Sequence, residues 1–447
     1  MTSKERIDFA LSIATDTKFF EMGAGAYLKA ADIFKKYFQG KRPLIVADVH
    51  TWPVLGEKVY DLFLSEGLPA LKFIIQEEEF HAEWKYVEMV DAQLDENPDA
   101  VLVSVGSGVI NDLCKLSSHH HSQSYLTLPT AASVDGYSSF GASITFEGAK
   151  QTFSCPAPVA ILADIDIIAT APAHMTAAGY ADLAAKVPAG GEWMIADFVG
   201  KAPLHHDAWH VLQDYLDDFL ANPDAVAAGD PDAIADVFEG LTLSGIAMQA
   251  ARSSRPASCC DHLFSHILDM TEHRYKGKLQ SHGFQVAIGT LTMCAVFDEL
   301  FKLDLSGLDV DAAVAAWPSL EKEQSRALEL FKDFPVPKLG YDEITKKYDA
   351  ADVVREQLTK LKAEWPELKQ RLQGQVYSFA KMQDLMRRAG APSDPSEIGL
   401  SRERLREMFP LVQLMRFRFN LLDLGKRGGF YDAIVEPLFA KGGPFEI

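Results

Sequence analysis

Three short segments of the 447-residue chain carry side chains suited to a divalent metal. Ala178-Gly179-Tyr180-Ala181-Asp182-Leu183 places one carboxylate on an otherwise small and apolar helical stretch; Asp261-His262-Leu263-Phe264-Ser265-His266 offers two imidazoles at i and i+4; and His282-Gly283-Phe284-Gln285-Val286 offers a third. Residues four apart share a helix face, with Cβ atoms roughly 5–6 Å apart. One Asp with two His leaves coordination positions open, as a catalytic rather than a structural metal requires. Thirteen histidines also make an HxxxH pair a common coincidence, so the same residues have an ordinary reading as core or surface. Cys259-Cys260 has two readings, a soft ligand pair and, preferred because neighbouring residues point in different directions, plain buried thiols. His119-His120-His121 has two readings, a metal tract and, preferred from its Ser-rich setting ahead of a strand, a solvated loop.

A second chemistry-bearing segment is Gly106-Ser107-Gly108-Val109-Ile110-Asn111-Asp112, which follows the β-type run Val101–Val105 and opens a helix. Glycines let the backbone approach a pyrophosphate, and free N–H groups at the helix start complement its charge. The same spacing also serves a plain sharp turn. It departs from the Gly-x-Gly-x-x-Gly fingerprint, so an orthodox Rossmann site is not implied. Asp48, at the end of an earlier strand, has two readings: acceptor for an adenosine ribose, or helix-capping residue.

The elements that must position these residues change character along the chain. Continuous apolar runs at 44–47, 71–75, 100–105, 125–128 and 158–162, separated by helix-length intervals, predict a parallel sheet covered on both faces. From about Ala171 the helical period dominates, over Ala233 to Ala251, Gly283 to Leu303, Tyr348 to Leu372 and Arg402 to Leu424. The expected organisation is an α/β dinucleotide-binding domain at 1–170 and an all-helical metal- and substrate-binding domain at 171–447, two domains being the default for this length.

The composition is 48% hydrophobic and 24% charged, that of an ordinary globular protein. A net charge of -20 argues against nucleic acid as a partner, since phosphate backbones need a basic face. Met1 to Phe19 lacks the apolar core and cleavage site of a signal peptide, and no apolar run reaches membrane-spanning length. A cytoplasmic protein without membrane insertion is therefore expected. Five cysteines, an odd number, fit reduced thiols.

Taken together, these segments resemble the sn-glycerol-1-phosphate dehydrogenase family of the dehydroquinate synthase-like, iron-containing alcohol dehydrogenase superfamily. The match rests on Gly106 to Asp112, on Pro129-Thr130-Ala131-Ala132-Ser133-Val134-Asp135-Gly136-Tyr137-Ser138-Ser139, on Ala178 to Lys186, and on Ser254-Arg255-Pro256-Ala257-Ser258 leading to His262, His266 and His282-Gly283. The resemblance implies an α/β nucleotide-binding domain followed by an all-α domain. It implies a reaction interconverting dihydroxyacetone phosphate and sn-glycerol 1-phosphate with NAD or NADP and one zinc, nickel or iron ion. It makes Asp182, His262 and His282 the metal ligands, and sets His266 and Asp135 toward substrate and nicotinamide, so that Asp135, Asp182 and His266 form the catalytic group. Gly106, Ser107, Gly108, Val109 and Asp112 would hold the pyrophosphate, Thr130, Ser133 and Ser139 would contact the cofactor, and Asp48 would meet the ribose and favour NAD. It further implies a small phosphorylated three-carbon substrate and a homodimer.

The chain departs from the family pattern in three places. Cys259-Cys260-Asp261 stands where Gly, a small residue and Glu are common, Phe284 where Glu is usual, and Gly190-Gly191-Glu192-Trp193 where a segment ends in Asp-Trp. Lys186, a turn beyond Asp182, has two readings, a contact to substrate phosphate or, preferred on type alone, a surface lysine. Three alternatives remain: a polyol or glycerol dehydrogenase, a 3-dehydroquinate synthase-like lyase, and a catalytically silent nucleotide-binding protein. Against the lyase stands the absence of its Asn-Tyr-Gly-His-Thr segment; against the silent protein, the intact Asp/His₂ set.

Overall fold

The architecture is taken from a computed structural model, which describes residues 1–147 and 149–447. The chain forms two compact units that do not follow chain order. The first comprises Met1–Leu183, His206–Pro256 and Arg388–Ala391, the second Ala184–His205, Ala257–Arg387 and Pro392–Ile447.

The first unit is built on strands β1 (Phe19–Gly23), β2 (Arg42–Asp48), β3 (Leu71–Ile75), β4 (Ala100–Gly106), β5 (Leu126–Pro129) and β8 (Ala160–Asp164). They form one sheet in the order β1-β8-β5-β4-β2-β3, and every pairing is parallel. A separate antiparallel hairpin joins β6 (Ala142–Phe146) to β7 (Ala149–Phe153). Alternation along each strand sends Ile45, Val101 and Val103 into a core with Phe34, Val59 and Phe63, and Leu44, Val46 and Leu102 into a second core with Tyr86, Val90 and Leu113. Each such side chain contributes about 1.5–3 kcal/mol on burial, so both faces of the sheet stabilise it. The five expected strands are present. β1 and the hairpin were not expected.

Four helices of this unit bear on the site: α1 (Trp84–Glu96), α2 (Gly108–His120), α3 (Ala173–Ala184) and α5 (Pro231–Ala251). Asp230 starts α5 by accepting the N–H groups of Asp232 and Ala233, each at 3.0 Å, and Pro231 needs no donor at that position.

The second unit is helical apart from a short ribbon pairing Arg274–Tyr275 with Lys278–Leu279. It contains α4 (Lys186–Phe198), α6 (Cys260–Met270), α7 (His282–Leu300), α8 (Ala351–Gln375) and α9 (Leu421–Gly428). The expected continuous helix from Arg402 to Leu424 is broken instead: it stops at Leu414, and α9 begins afresh at Leu421. The cause is a capping box, in which the Asn420 side chain accepts the Asp423 N–H and Asp423 Oδ2 accepts the Asn420 N–H, each at 3.0 Å. All five cysteines are free and buried. Among the described residues no helix is long and apolar enough to cross a membrane.

Candidate active site

At the carboxyl end of β4 the chain turns sharply into α2, with Ser107 as N-cap residue. Small side chains are obligatory here. A Cβ on Gly106 would lie 2.7 Å from Ile110 Cγ1, and one on Gly108 would lie 2.8 Å from Val134 Cγ2. Ser107 makes no side-chain cap bond. With Gly108 and Val109 it is half-buried, and the first amides of α2 have no capping side chain. The Thr130 N–H donates to the Gly106 carbonyl at 3.1 Å, which docks the segment after β5 against this turn.

That segment is held down at one carbonyl. Gly136 O accepts from Asn111 Nδ2 at 3.1 Å, Lys115 Nζ at 2.7 Å and Ser139 Oγ at 3.3 Å, and Lys115 Nζ also donates to Gly141 O at 3.0 Å. Asp112 Oδ2 accepts the Ser143 N–H at 3.2 Å, tying α2 to β6. Thr130, Ser133 and Ser139 are all buried, and Ser133 Oγ lies 3.3 Å from the Tyr137 hydroxyl. Asp48 serves its own turn: its Oδ1 accepts the N–H groups of His50 at 2.9 Å and Thr51 at 2.8 Å, the geometry of the capping reading.

Within the same unit Asp135 and Asp182 come together. The Asp135 N–H donates to Asp182 Oδ2 at 2.9 Å, and Asp135 Oδ2 accepts from Ser244 Oγ at 2.9 Å. Asp182 is fully buried on α3. Gly179, one turn earlier, permits this: a Cβ there would stand 1.9 Å from the Ala132 carbonyl oxygen. Gly245 plays the same part on α5, where a Cβ would meet Ser138 Oγ at 2.0 Å.

In the helical unit His262 and His282 face each other from α6 and α7, with ring centroids 5.3 Å apart. Asp261 Oδ2 accepts a short hydrogen bond from His262 Nδ1. The Ser265 hydroxyl donates to Gln285 Oε1 at 2.7 Å, so its oxygen accepts from His282 Nδ1 at 3.0 Å. Both rings therefore carry their proton on Nδ1, which makes Nε2 the lone-pair nitrogen in each. A partner on the far ring nitrogen is how ligating histidines are oriented and made more basic. His266 is half-buried, one turn beyond His262 on α6. α6 and α7 meet closely, since a Cβ on Gly289 would lie 2.0 Å from the Asp261 carbonyl oxygen.

Four features escaped the sequence reading. Ser265 and Gln285 lie three residues after His262 and His282, a spacing that signals one helix face. Lys186 is fully buried, against the preferred surface reading. His119 and His120 end α2 rather than lying in a loop. His120 Nδ1 reaches Asp91 Oδ2 at 2.8 Å, and His121 Nε2 reaches Asp95 Oδ1 at 3.1 Å. Glu192 is fully buried on α4; burial and the nearby Asp261 charge raise its carboxyl, while the Leu421 and Cys260 N–H groups act in the opposite sense. Burial also raises the Cys260 thiol well above its ordinary range, so this thiol is inert.

Comparison with known proteins places this arrangement. Residues 21–172 match the iron-containing alcohol dehydrogenase family. The glycerol-1-phosphate dehydrogenase [NAD(P)+] of Thermococcus sibiricus is 32% identical over 265 residues, covering 59% of this chain and 73% of that protein. That of Pyrococcus furiosus is 31% identical over 272 residues, covering 61% and 76%. A bacterial relative of the same name, from Halalkalibacterium halodurans, is 29% identical over 298 residues, covering 65% and 73%. Among solved structures, glycerol dehydrogenase from Schizosaccharomyces pombe superposes with a TM-score of 0.60 at 17% identity, covering 95% of this chain and 90% of that one, which shows a shared fold. A probable glycerol dehydrogenase from Sinorhizobium meliloti gives 0.58 at 17% identity, covering 94% and 96%. The chain belongs to the glycerol-1-phosphate dehydrogenase family.

Proposed function

We propose that this protein is an NAD(P)-linked, metal-dependent dehydrogenase that interconverts dihydroxyacetone phosphate and sn-glycerol 1-phosphate. The observation that carries this reading is the pair of imidazoles on α6 and α7, each held in the Nδ1–H tautomer by its own partner. In this reading Asp182, His262 and His282, the first two buried and the third half-buried, hold one divalent ion. Their donor set, one carboxylate oxygen and two neutral imidazole nitrogens, suits zinc, nickel or iron. When bound, the ion supplies a Lewis acid for the substrate's C2 oxygen and the dinucleotide supplies hydride chemistry.

The chain's own residues do the rest. Gly106, Ser107, Gly108, Val109 and the amides opening α2 seat the pyrophosphate. Thr130, Ser133 and Ser139 line the cofactor segment, Asp112 ties α2 to β6, and Asp48, whose Oδ1 caps its own turn, meets the ribose through its other oxygen. Asp135 is fixed by Ser244 and by its own N–H to Asp182, so it orients the reacting groups without searching rotamers. His266 moves or holds the proton at the C2 oxygen. Dinucleotide binding is assigned to residues 1–170 and metal and substrate binding to the helices of 171–447. The protein is assigned to the cytoplasm and to a homodimer, which gel filtration checks.

The test is NADH oxidation by metal-stripped protein resupplied with zinc, nickel or iron, with dihydroxyacetone phosphate and with dihydroxyacetone. Metal-dependent turnover selective for the phosphorylated ketone is expected. Turnover of dihydroxyacetone alone would move the assignment to a polyol dehydrogenase.

A further inference from the structure

The buried carboxylate of Glu192 joins two helix starts. Its Oε2 accepts the Cys260 N–H, at the first residue of α6, and its Oε1 accepts the Leu421 N–H, at the first residue of α9, each at 2.9 Å. The N-terminus of α6 depends on this. Its N-cap residue, Cys259, makes no side-chain cap bond. The orphan amides of that turn go instead to two acids: Cys260 N–H to Glu192, and Cys259 N–H to Asp261 Oδ1 at 3.0 Å. The two helix dipoles complement the carboxylate's charge where water is excluded. Asp261 has a second duty in the same turn, since its other oxygen holds the His262 ring. Glu192 thus fixes the turn that aims His262.

The packing beneath Glu192 leaves it little freedom. A Cβ on the preceding Gly191 would come within 2.5 Å of Val376 Cγ2 and 2.9 Å of Phe297 Cζ, so α4 is seated tightly at this point. Trp193, the next residue, is 2% exposed. Two departures from the family pattern noted above, Glu192 in place of Asp and Cys259-Cys260-Asp261 in place of Gly, a small residue and Glu, are therefore neighbours joined by a hydrogen bond.

We infer that Glu192 is a positioning residue for the metal site, acting through the first turn of α6 on the aim of His262 Nε2. This rests on the assignment of His262 as a metal ligand. An aspartate one methylene shorter cannot reach both amides, so Glu192→Asp releases one helix start while keeping the charge. Glu192→Gln keeps the length but presents an N–H to an N–H on one side.

The experiment compares wild type, Glu192→Asp, Glu192→Gln and His262→Ala, all metal-stripped. Zinc affinity is measured by competition with a chromogenic chelator, the visible spectrum is recorded after cobalt(II) loading, and NADH affinity is measured by fluorescence. Glu192→Asp is expected to weaken zinc about 10–100-fold, the range for residues that orient metal ligands, and to alter the cobalt spectrum. Its NADH affinity should stay at the wild-type value. Wild-type zinc affinity and cobalt spectrum in Glu192→Asp, with a loss confined to melting temperature, would overturn the inference and leave Glu192 a structural cap. If Glu192→Gln does not fold, Glu192→Asp decides alone. His262→Ala separates the two levels: zinc affinity unchanged in that variant overturns the ligand assignment itself, whereas its loss there together with retention in Glu192→Asp overturns only the role of Glu192.

Discussion

Replacing Gly179 by alanine sets a methyl group 1.9 Å from the Ala132 carbonyl oxygen, 2.7 Å from its carbon and 3.1 Å from Leu241 Cδ1. Real Cβ atoms essentially never come within 3.0 Å of such neighbours, so α3 or the segment after β5 must retreat by about 1.1 Å. Neither can do so cheaply. The near atoms are backbone, and Ala132 lies between Thr130, bonded to Gly106, and Asp135, bonded to Asp182. Overpacking of this kind costs about 1–3 kcal/mol of stability. Asp182 lies one turn from Gly179, so its carboxylate shifts by a similar distance, and a displacement of about 1 Å at a reacting centre lowers turnover on the order of 10²-fold. The assay is metal-dependent NADH oxidation with dihydroxyacetone phosphate, alongside urea denaturation. Gly374→Ala is the matched control: Gly374 lies exposed on α8 with nothing within 4 Å of the added methyl, so wild-type turnover and a gain of about 0.4–1 kcal/mol are expected. Wild-type kinetics in Gly179→Ala would refute the claim that this close approach sets the position of Asp182.

Ser265→Ala removes the acceptor for His282 Nδ1, and zinc affinity by chelator competition should fall about 10–100-fold with NADH affinity unchanged. His266→Ala should keep the metal, measured by emission spectrometry, and lower kcat on the order of 10²–10⁴-fold, as for loss of a proton-transferring group; loss of metal instead would make His266 a ligand. His121 supplies a prediction in pH. Burial pulls its imidazole down, but the Ser117 carbonyl and the Asp95 and Asp91 carboxylates outweigh that and raise it. A raised folded-state value favours folding below the unfolded value of about 6.5, and that advantage is lost as pH rises through the folded value. The stability difference between wild type and His121→Gln, measured by denaturation, should therefore be largest below about pH 6.5 and shrink as pH rises through the folded value; a difference independent of pH would refute the charged pairing.

Strands β2, β3, β4, β5 and β8 and the long apolar helices were legible because they are written as continuous or helical-period apolar runs. β1 was not, because Glu21 interrupts its apolar run and Gly23 ends it; β3, the other edge strand and also with one buried residue, was legible because Phe73-Ile74-Ile75 is continuous. The break after Leu414 was hidden by an apolar stretch that continues through Leu421, Leu422 and Leu424; only Asn420 with Asp423 marks the new start. The candidate site follows the same division. Residue type and spacing offer Asp182, His262, His266 and His282, and only the family resemblance selects three of them, whereas the ring orientation depends on Ser265 and Gln285, whose types are common everywhere. Lys186 and Glu192 were misjudged or passed over for one reason: a charged residue reads as surface until tertiary packing encloses it, and for Glu192 the partners Cys260 and Leu421 are distant in sequence.

The Gly136 carbonyl, gripped by Asn111, Lys115 and Ser139, bears on the thermodynamics of cofactor binding. A glycine-containing turn left loose would surrender backbone freedom each time a nucleotide arrived, at about 1–2 kcal/mol per ordered residue. Here that freedom is surrendered once, when α2 folds and its buried lysine locks onto the turn. If this turn seats the nucleotide as proposed, capture is rigid docking, with no chain ordering set against its binding entropy.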